Sequence, residues 1–290
     1  MPPRFIAVGH DGLRLSSSDG VNWADAQLGK EGEAYRAAAG GNGLVVAVGS
    51  YGGDNILAAS ADGKAWKTGK HEAKYVRYLR GLTFGNGVFL GLGGDPGSVG
   101  SSKPFVMTSK DGLAWDAPLD VPGKHILRRA AWGGGRFVAV GDRGRRATSA
   151  DGKDWTDFAE GKALDTVVDV AFGNGVFVGV GLHGLRTATK DGRTWTAPQR
   201  GEEGEHLNSV VFAKDRFVAV GAGATYLSAD GEAWERRPNT NAPQVATYGA
   251  GVLVGAAWKG RLFVSADGVT WKETHKAERH ILAVTVLDRA

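Results

Sequence analysis

The chain contains no cysteine, which excludes disulfide bridges and thiolate metal sites and leaves the compartment open. No apolar run approaches the roughly 20 residues that a membrane helix needs, so membrane insertion is not expected. The opening Met1-Pro-Pro-Arg4-Phe5 lacks the apolar core of a signal peptide. There is no basic arm and no recognised nucleic-acid motif: the 35 Lys and Arg are interspersed with 31 Asp and Glu. Nucleic acid is therefore not the expected partner, and the net charge of +4 mildly favours anionic ligands. A Gly-rich linker is also missing, because the 46 glycines are spread along the whole chain. With 42% hydrophobic and 23% charged residues the composition is globular. The 290 residues read as one domain spanning 1–290, a size that repeat folds reach as a single unit.

What the chain does have is one phrase repeated seven times, S/T-x-D-G-x-x-W. The copies run from Ser17 to Trp23, Ser60 to Trp66, Ser109 to Trp115, Ser149 to Trp155, Thr189 to Trp195, Ser228 to Trp234 and Ser265 to Trp271. Successive aspartates are 43, 49, 40, 40, 39 and 37 residues apart, a period that calls for repeat architecture. Between the copies, short β-branched and aromatic runs alternate with Gly-Asn-Gly and Asp-Gly turns, as in residues 167–199. This is strand and hairpin signalling, and four strands per repeat, here termed A to D, make a propeller blade. Strand B recurs as FIAVG (5–9), VVAVG (45–49), FLGLG (89–93), FVAVG (137–141), FVGVG (177–181) and FVAVG (217–221), fading to LVGAA (253–257). Such continuous apolar runs suit strands buried on both faces between neighbouring sheets.

The ends of the chain complete one another. Residues 1–25 supply strands B, C and D without an A, while His280 to Leu287 supply an A with nothing after it. The expectation is an all-β, seven-bladed propeller of four-stranded antiparallel blades, closed by pairing residues 280–287 with residues 4–9, which removes exposed sheet edges.

The repeated phrase itself reads as scaffold. Aspartate oxygens accept backbone N–H bonds two residues on, glycine takes a positive φ at little cost, and the Ser or Thr hydroxyl adds a further bond. The Trp offers apolar surface to the neighbouring sheet. With these residues the chain resembles the Asp-box, or BNR-type, propellers: sialidases, related glycosidases, some lectins, and the photosystem II stability and assembly factor family. The box here is one residue shorter between Asp and Trp than the usual form. The sialidase members carry an Arg-Ile-Pro motif and six blades, whereas this chain has no Arg-Ile-Pro and seven repeats.

In a repeat protein, positions shared by all copies serve the fold, so function is sought where the copies differ. Aligned on the turn that follows strand A, one column reads Arg36, Arg80, Arg128, Val168, Asn208, Gln244 and Leu282. Strand A begins near the mouth of the central channel, so three arginines there could converge on a carboxylate, sulfate or phosphate through paired hydrogen bonds. The alternative is that each neutralises a nearby carboxylate or reaches to water. The next column brings Arg129 and Asp169 to equivalent positions on adjacent blades, where an interblade ion pair is the plainer reading and a catalytic Asp169 the sharper one.

Five histidines map to the same face: His125, His206 and His280 before strand A, and His10 and His183 in B-to-C connections. No short ligand spacing ties any pair together, so surface or hydrogen-bonding histidines are the expected reading, with a general acid or base or a His-linked metal at the mouth as the alternatives. No cofactor is expected otherwise. Two insertions, Gly49 to Asn55 and Gly93 to Pro104, lengthen the B-to-C connections of the arginine blades, and Tyr51, Trp258 and Lys259 belong to the same mouth. Three functions remain: a propeller that binds an anionic small molecule or glycan, an enzyme on the same face (glycosidase-like, or resembling the streptogramin lyases, using His with Arg), or a platform for another protein.

Overall fold

The computed structural model describes residues 4–72, 78–94, 103–239 and 241–287. Its strands form seven antiparallel sheets arranged as the blades of a propeller. The innermost strands are Ala34–Gly41, Tyr78–Gly85, Leu127–Gly133, Val167–Gly173, His206–Ala213, Val245–Gly249 and Ile281–Leu287. The last of these closes the ring by pairing with Arg4–Gly9, in a register that sets Phe5 opposite Val286 and Ala7 opposite Val284.

Six blades have four strands; in the fifth the outer strand is reduced to a bridge between Arg186 and Gln199. The third blade keeps only Leu119–Asp120 on that edge. Both segments carry a proline three places after the tryptophan of the turn, Pro118 after Trp115 and Pro198 after Trp195. Proline has no N–H for the ladder, which is why these two edges are the short ones.

Among the described residues there is no single central hydrophobic core. Buried apolar side chains form seven clusters, one in each seam between neighbouring blades; one of them joins Ala37, Val46 and Leu57 of blade 2 to Leu79, Phe89 and Met107 of blade 3. Two clusters depend on the closing strand: Leu287 packs with Ile6 and Tyr35, and Ile281 and Val284 pack with Leu13 and Leu262. The apolar runs of strand B are buried because a sheet flanks them on each side.

The repeated phrase is a rigid turn. In the first copy Asp19 Oδ1 accepts from the amides of Val21 and Asn22, each at 2.8 Å, while the Gly20 amide donates to Ser17 Oγ at 2.9 Å. The Trp23 indole N–H donates back to the Gly20 carbonyl at 3.0 Å. The glycine is required twice over. At Gly112 φ is +76°, and a Cβ would lie 2.2 Å from Val46 Cγ2 of the preceding blade. The turn thus sets the spacing of the seam as well as the local chain reversal.

These bonds favour the ionised aspartates. The amides of Thr194 and Arg193 bring Asp191 down to about 2, and at Asp267 the amides of Thr270 and Val269 outweigh burial and hold it at about 2. A carboxyl lowered in the folded state stabilises the fold fully above its unfolded value and loses that contribution as pH falls through its folded value. The same direction holds at Asp19, Asp111, Asp151 and Asp230, so the losses coincide. We expect the midpoint of thermal unfolding, followed by tryptophan fluorescence, to be level near neutrality and to fall steeply between about pH 4 and pH 2; a midpoint unchanged across that window would refute the linkage.

Candidate functional site

The arginine column of the sequence coincides with a structural irregularity. On six of the seven innermost strands the register slips by one residue, and the extra residue is Arg36, Arg80, Arg128, Val168, Asn208 or Leu282. Each is a β-bulge, in which two residues oppose one and the side chain is re-aimed. Gln244 differs, since blade 7 has no bulge there and the Gln244 amide donates straight to the Ala256 carbonyl.

Arg36, Arg80 and Arg128 are brought together. Arg36 Nε donates to Ser50 Oγ at 3.3 Å, and Arg128 Nε is paired with Asp142. Arg80 sits between them, and its Nε is buried with no partner among the described residues. Burial, then the positive fields of Arg36 and Arg128, pull the Arg80 guanidinium below its usual range, with Asp142 opposing. Asp142 thus pairs with Arg128 and also acts on Arg80. Asp142, the first residue of the B-to-C turn, was not anticipated from the sequence; its place directly after the strand B glycine is the signal that could have found it.

Arg129 and Asp169 both line a channel cavity of about 360 Å³. They do not form the expected contact ion pair. Arg129 Nη1 donates to the carbonyls of Arg80 and Arg128, at 2.9 and 3.0 Å, and so ties blade 4 to blade 3. Asp169 accepts from the Val170 amide at 3.0 Å and from the Val210 amide of blade 6 at 2.9 Å. Burial pushes the Asp169 carboxyl up, with Arg129 opposing across the intervening space. Asn208 lines the same cavity.

Two of the histidines hold backbone. His206 Nδ1 accepts from the His183 amide at 3.2 Å, and His280 Nδ1 accepts from the Lys259 amide at 2.9 Å. At the junction of blades 4 and 5 the same place is taken by Thr166 Oγ1, which accepts from the Arg143 amide at 3.0 Å. The donors Arg143, His183 and Lys259 all have positive φ, between 54° and 61°, in tight turns. Each bond latches a turn to the next blade, and the accepting imidazole nitrogen is occupied. The rings form two pairs, His183 with His206 at 5.2 Å and His10 with His280 at 5.7 Å, while His125 lies 3.3 Å from Glu160. Burial, then the neighbouring His280 and Arg36, hold His10 below its ordinary value. Among the described residues no group of three His, Cys, Asp or Glu is placed to hold a metal ion.

Tyr51 packs in the seam of blades 1 and 2 beneath Lys70. Trp258 is 64% exposed and stands edge-on to His280 at 5.4 Å. The first insertion forms the hairpin between Leu44–Tyr51 and Asp54–Ser60. Most of the second, residues 95–102, lies outside the described residues.

Sequence reasoning also missed an interblade device. Arg14, Arg146 and Arg186 each donate to the carbonyl of a glycine two places earlier and lie over aromatic rings of the next blade, 5.7 Å from Trp66, 5.1 Å from Trp195 and 3.9 Å from Tyr226. Such cation–π contacts gain strength where water is excluded. The Gly-x-Arg spacing, three times at the start of strand C, was the available signal.

Residues 170–279 match the DUF6242 beta propeller domain family. No curated protein matches the chain. Among solved structures, YCF48 bound to D1 peptide superposes with a TM-score of 0.60 at 18% identity, covering 94% of this chain and 85% of that one. YCF48 from Cyanidioschyzon merolae gives 0.57 at 17% identity, with 89% and 87% covered. Sqt1 of Saccharomyces cerevisiae gives 0.64 at 11% identity, with 98% and 85% covered. What these likenesses share with the chain is the fold, and no helix among the described residues is long and apolar enough to cross a membrane.

Proposed function

We propose that the protein is an interaction propeller that docks an acidic segment of a partner protein on the face carrying Arg36, Arg80, Arg128 and Trp258. The observation that carries this reading is the charge imbalance at the channel mouth. Arg80 lies between two further arginines, Asp142 pairs with Arg128 and acts on Arg80, and the Arg80 Nε has no partner among the described residues. Like charges held together are costly unless an anion joins them, and the guanidinium fork matches a carboxylate. Trp258 adds the large exposed aromatic surface typical of an interface anchor. That one of the similar propellers was solved with a bound peptide is consistent with this use of the fold.

The same three arginines would also take a free anionic metabolite or a uronate-bearing glycan, and this is the second reading, carried by the same Arg80 Nε, which has no partner among the described residues. The enzyme reading draws little from the histidines, because His206 and His280 each spend Nδ1 on a backbone amide.

Binding of Asp- and Glu-rich peptides, measured by fluorescence anisotropy at low and high salt, tests the proposal. The expected result is salt-sensitive binding that weakens at least tenfold in the triple variant Arg36→Ala, Arg80→Ala, Arg128→Ala, and several-fold in Trp258→Ala, as for removal of charged contacts and an aromatic anchor. Equal binding by the triple variant would overturn it. Binding of free uronate or phosphate with no acidic peptide bound would replace it by the second reading.

A further inference from the structure

The channel below the arginine rim carries a second arrangement, independent of the docking surface. Two opposite charges, Arg129 and Asp169, border one cavity without touching. Both are immobilised. Arg129 is pinned through Nη1 alone, to two carbonyls, and neither its Nε nor its Nη2 bonds a described protein atom or counts among the fully buried polar atoms without partners. Those donors therefore open onto the channel. Asp169 is fixed by the amides of Val170 and Val210, one on each carboxylate oxygen, which orient it in the wall.

The remaining walls are mixed in a particular way. Thr83, Thr247, Thr285 and Asn208 are the polar side chains around them, and small or aliphatic groups such as Ala130, Val170, Val210 and Leu282 supply the rest. The volume of about 360 Å³ is at the lower end of what small-molecule sites enclose, which is about 300–1,000 Å³. Buried charges are normally paired, and here each has its counter-charge in the same cavity but out of reach.

We propose that the channel is a binding site for a free aliphatic α-amino acid, whose carboxylate is taken by Arg129 and whose ammonium group is taken by Asp169. A zwitterion brings one charge of each sign, separated by a single carbon, so that both wall charges gain a contact partner and the cavity stays neutral overall. A monovalent anion would leave Asp169 without its counter-charge; a cation would leave Arg129. The small aliphatic lining suits an apolar side chain better than a charged one.

Isothermal titration of the full chain with L-leucine, 4-methylpentanoate (no ammonium) and leucinamide (no carboxylate) tests this. L-Leucine is expected to bind saturably, with each analogue at least about tenfold weaker, the loss that follows when one charged hydrogen-bonding partner is removed. Arg129→Lys keeps the charge but loses the fork, and is expected to weaken L-leucine by a similar factor. In Asp169→Asn, L-leucine and 4-methylpentanoate should bind alike. No saturable binding by L-leucine or any other aliphatic amino acid would overturn the proposal, and so would 4-methylpentanoate binding as tightly as L-leucine to the unaltered protein. The ligand series needs no variant, so it decides the matter even if substitution in the wall disturbs folding.

Discussion

Removal of the residues after Arg279 is expected to abolish the cooperative unfolding transition. The deleted strand pairs with Arg4–Gly9 along its whole length and contributes to two of the seven seams. Burial of Ile281, Val284 and Leu287 alone is worth roughly 5–9 kcal/mol at the usual value per aliphatic side chain. That is comparable with the whole stability of a typical domain, about 5–15 kcal/mol. The deletion also bares the edge of Arg4–Gly9, an invitation to intermolecular pairing. The truncated chain should bind a hydrophobic dye, be cut rapidly by protease and show a broad melt, and a synthetic peptide of residues 280–290 should restore part of the transition. A truncated chain that melted at the temperature of the intact one would show that the ring is not held by this strand.

Glu205→Gln should be the most damaging polar substitution. Glu205 is 3% exposed and gathers the Tyr226 hydroxyl, the Glu202 amide at 3.0 Å and the Arg236 guanidinium, with Nε at 2.9 Å. Burial opposes its ionisation, but Tyr226 and Arg236 outweigh it and hold the carboxyl below the ordinary range. Tyr226 in turn carries Arg186 on its ring, so one carboxylate supports the seam of blades 5 and 6. Breaking a buried pair from one side costs about 3–5 kcal/mol, and because Arg236 can turn towards water the lower end applies. The expected loss is about 3 kcal/mol, a fall in Tm of roughly 5–10 °C for a chain of this size. By contrast Asp54→Asn, which breaks an exposed pair with Lys70, should cost under about 1 kcal/mol. Comparable falls for both variants, by calorimetry, would show that burial of Glu205 is not what gives it weight.

The candidate site was legible in outline. Arg36, Arg80 and Arg128 stood out because they break the repeat, and the structure gathers them at one place. The reason was hidden: they are bulge residues, and a bulge is visible only when two strands are laid in register. The histidines also shared a face, yet the partners of His206 and His280 are amides of neighbouring blades, and a backbone donor leaves no mark in a sequence. Arg129 and Asp169 were correctly set on adjacent blades, but whether they touch depends on how far the ring opens at its centre, where Arg129 turns instead to two carbonyls.

By itself the sequence determined the number of blades, the closure of the ring and the scaffold role of the repeated turn. All of these follow from local signals of fixed period: a turn chemistry, a strand alternation and two incomplete ends. Only the tertiary structure decided that the Arg80 Nε has no partner among the described residues, that Asp142 pairs with Arg128 and acts on Arg80, that two opposite charges face one cavity without contact, and that Glu205 anchors a seam. Those outcomes turn on distances between groups 14 to 49 positions apart, fixed by how the strands and turns pack in three dimensions and not by any short-range pattern in the sequence.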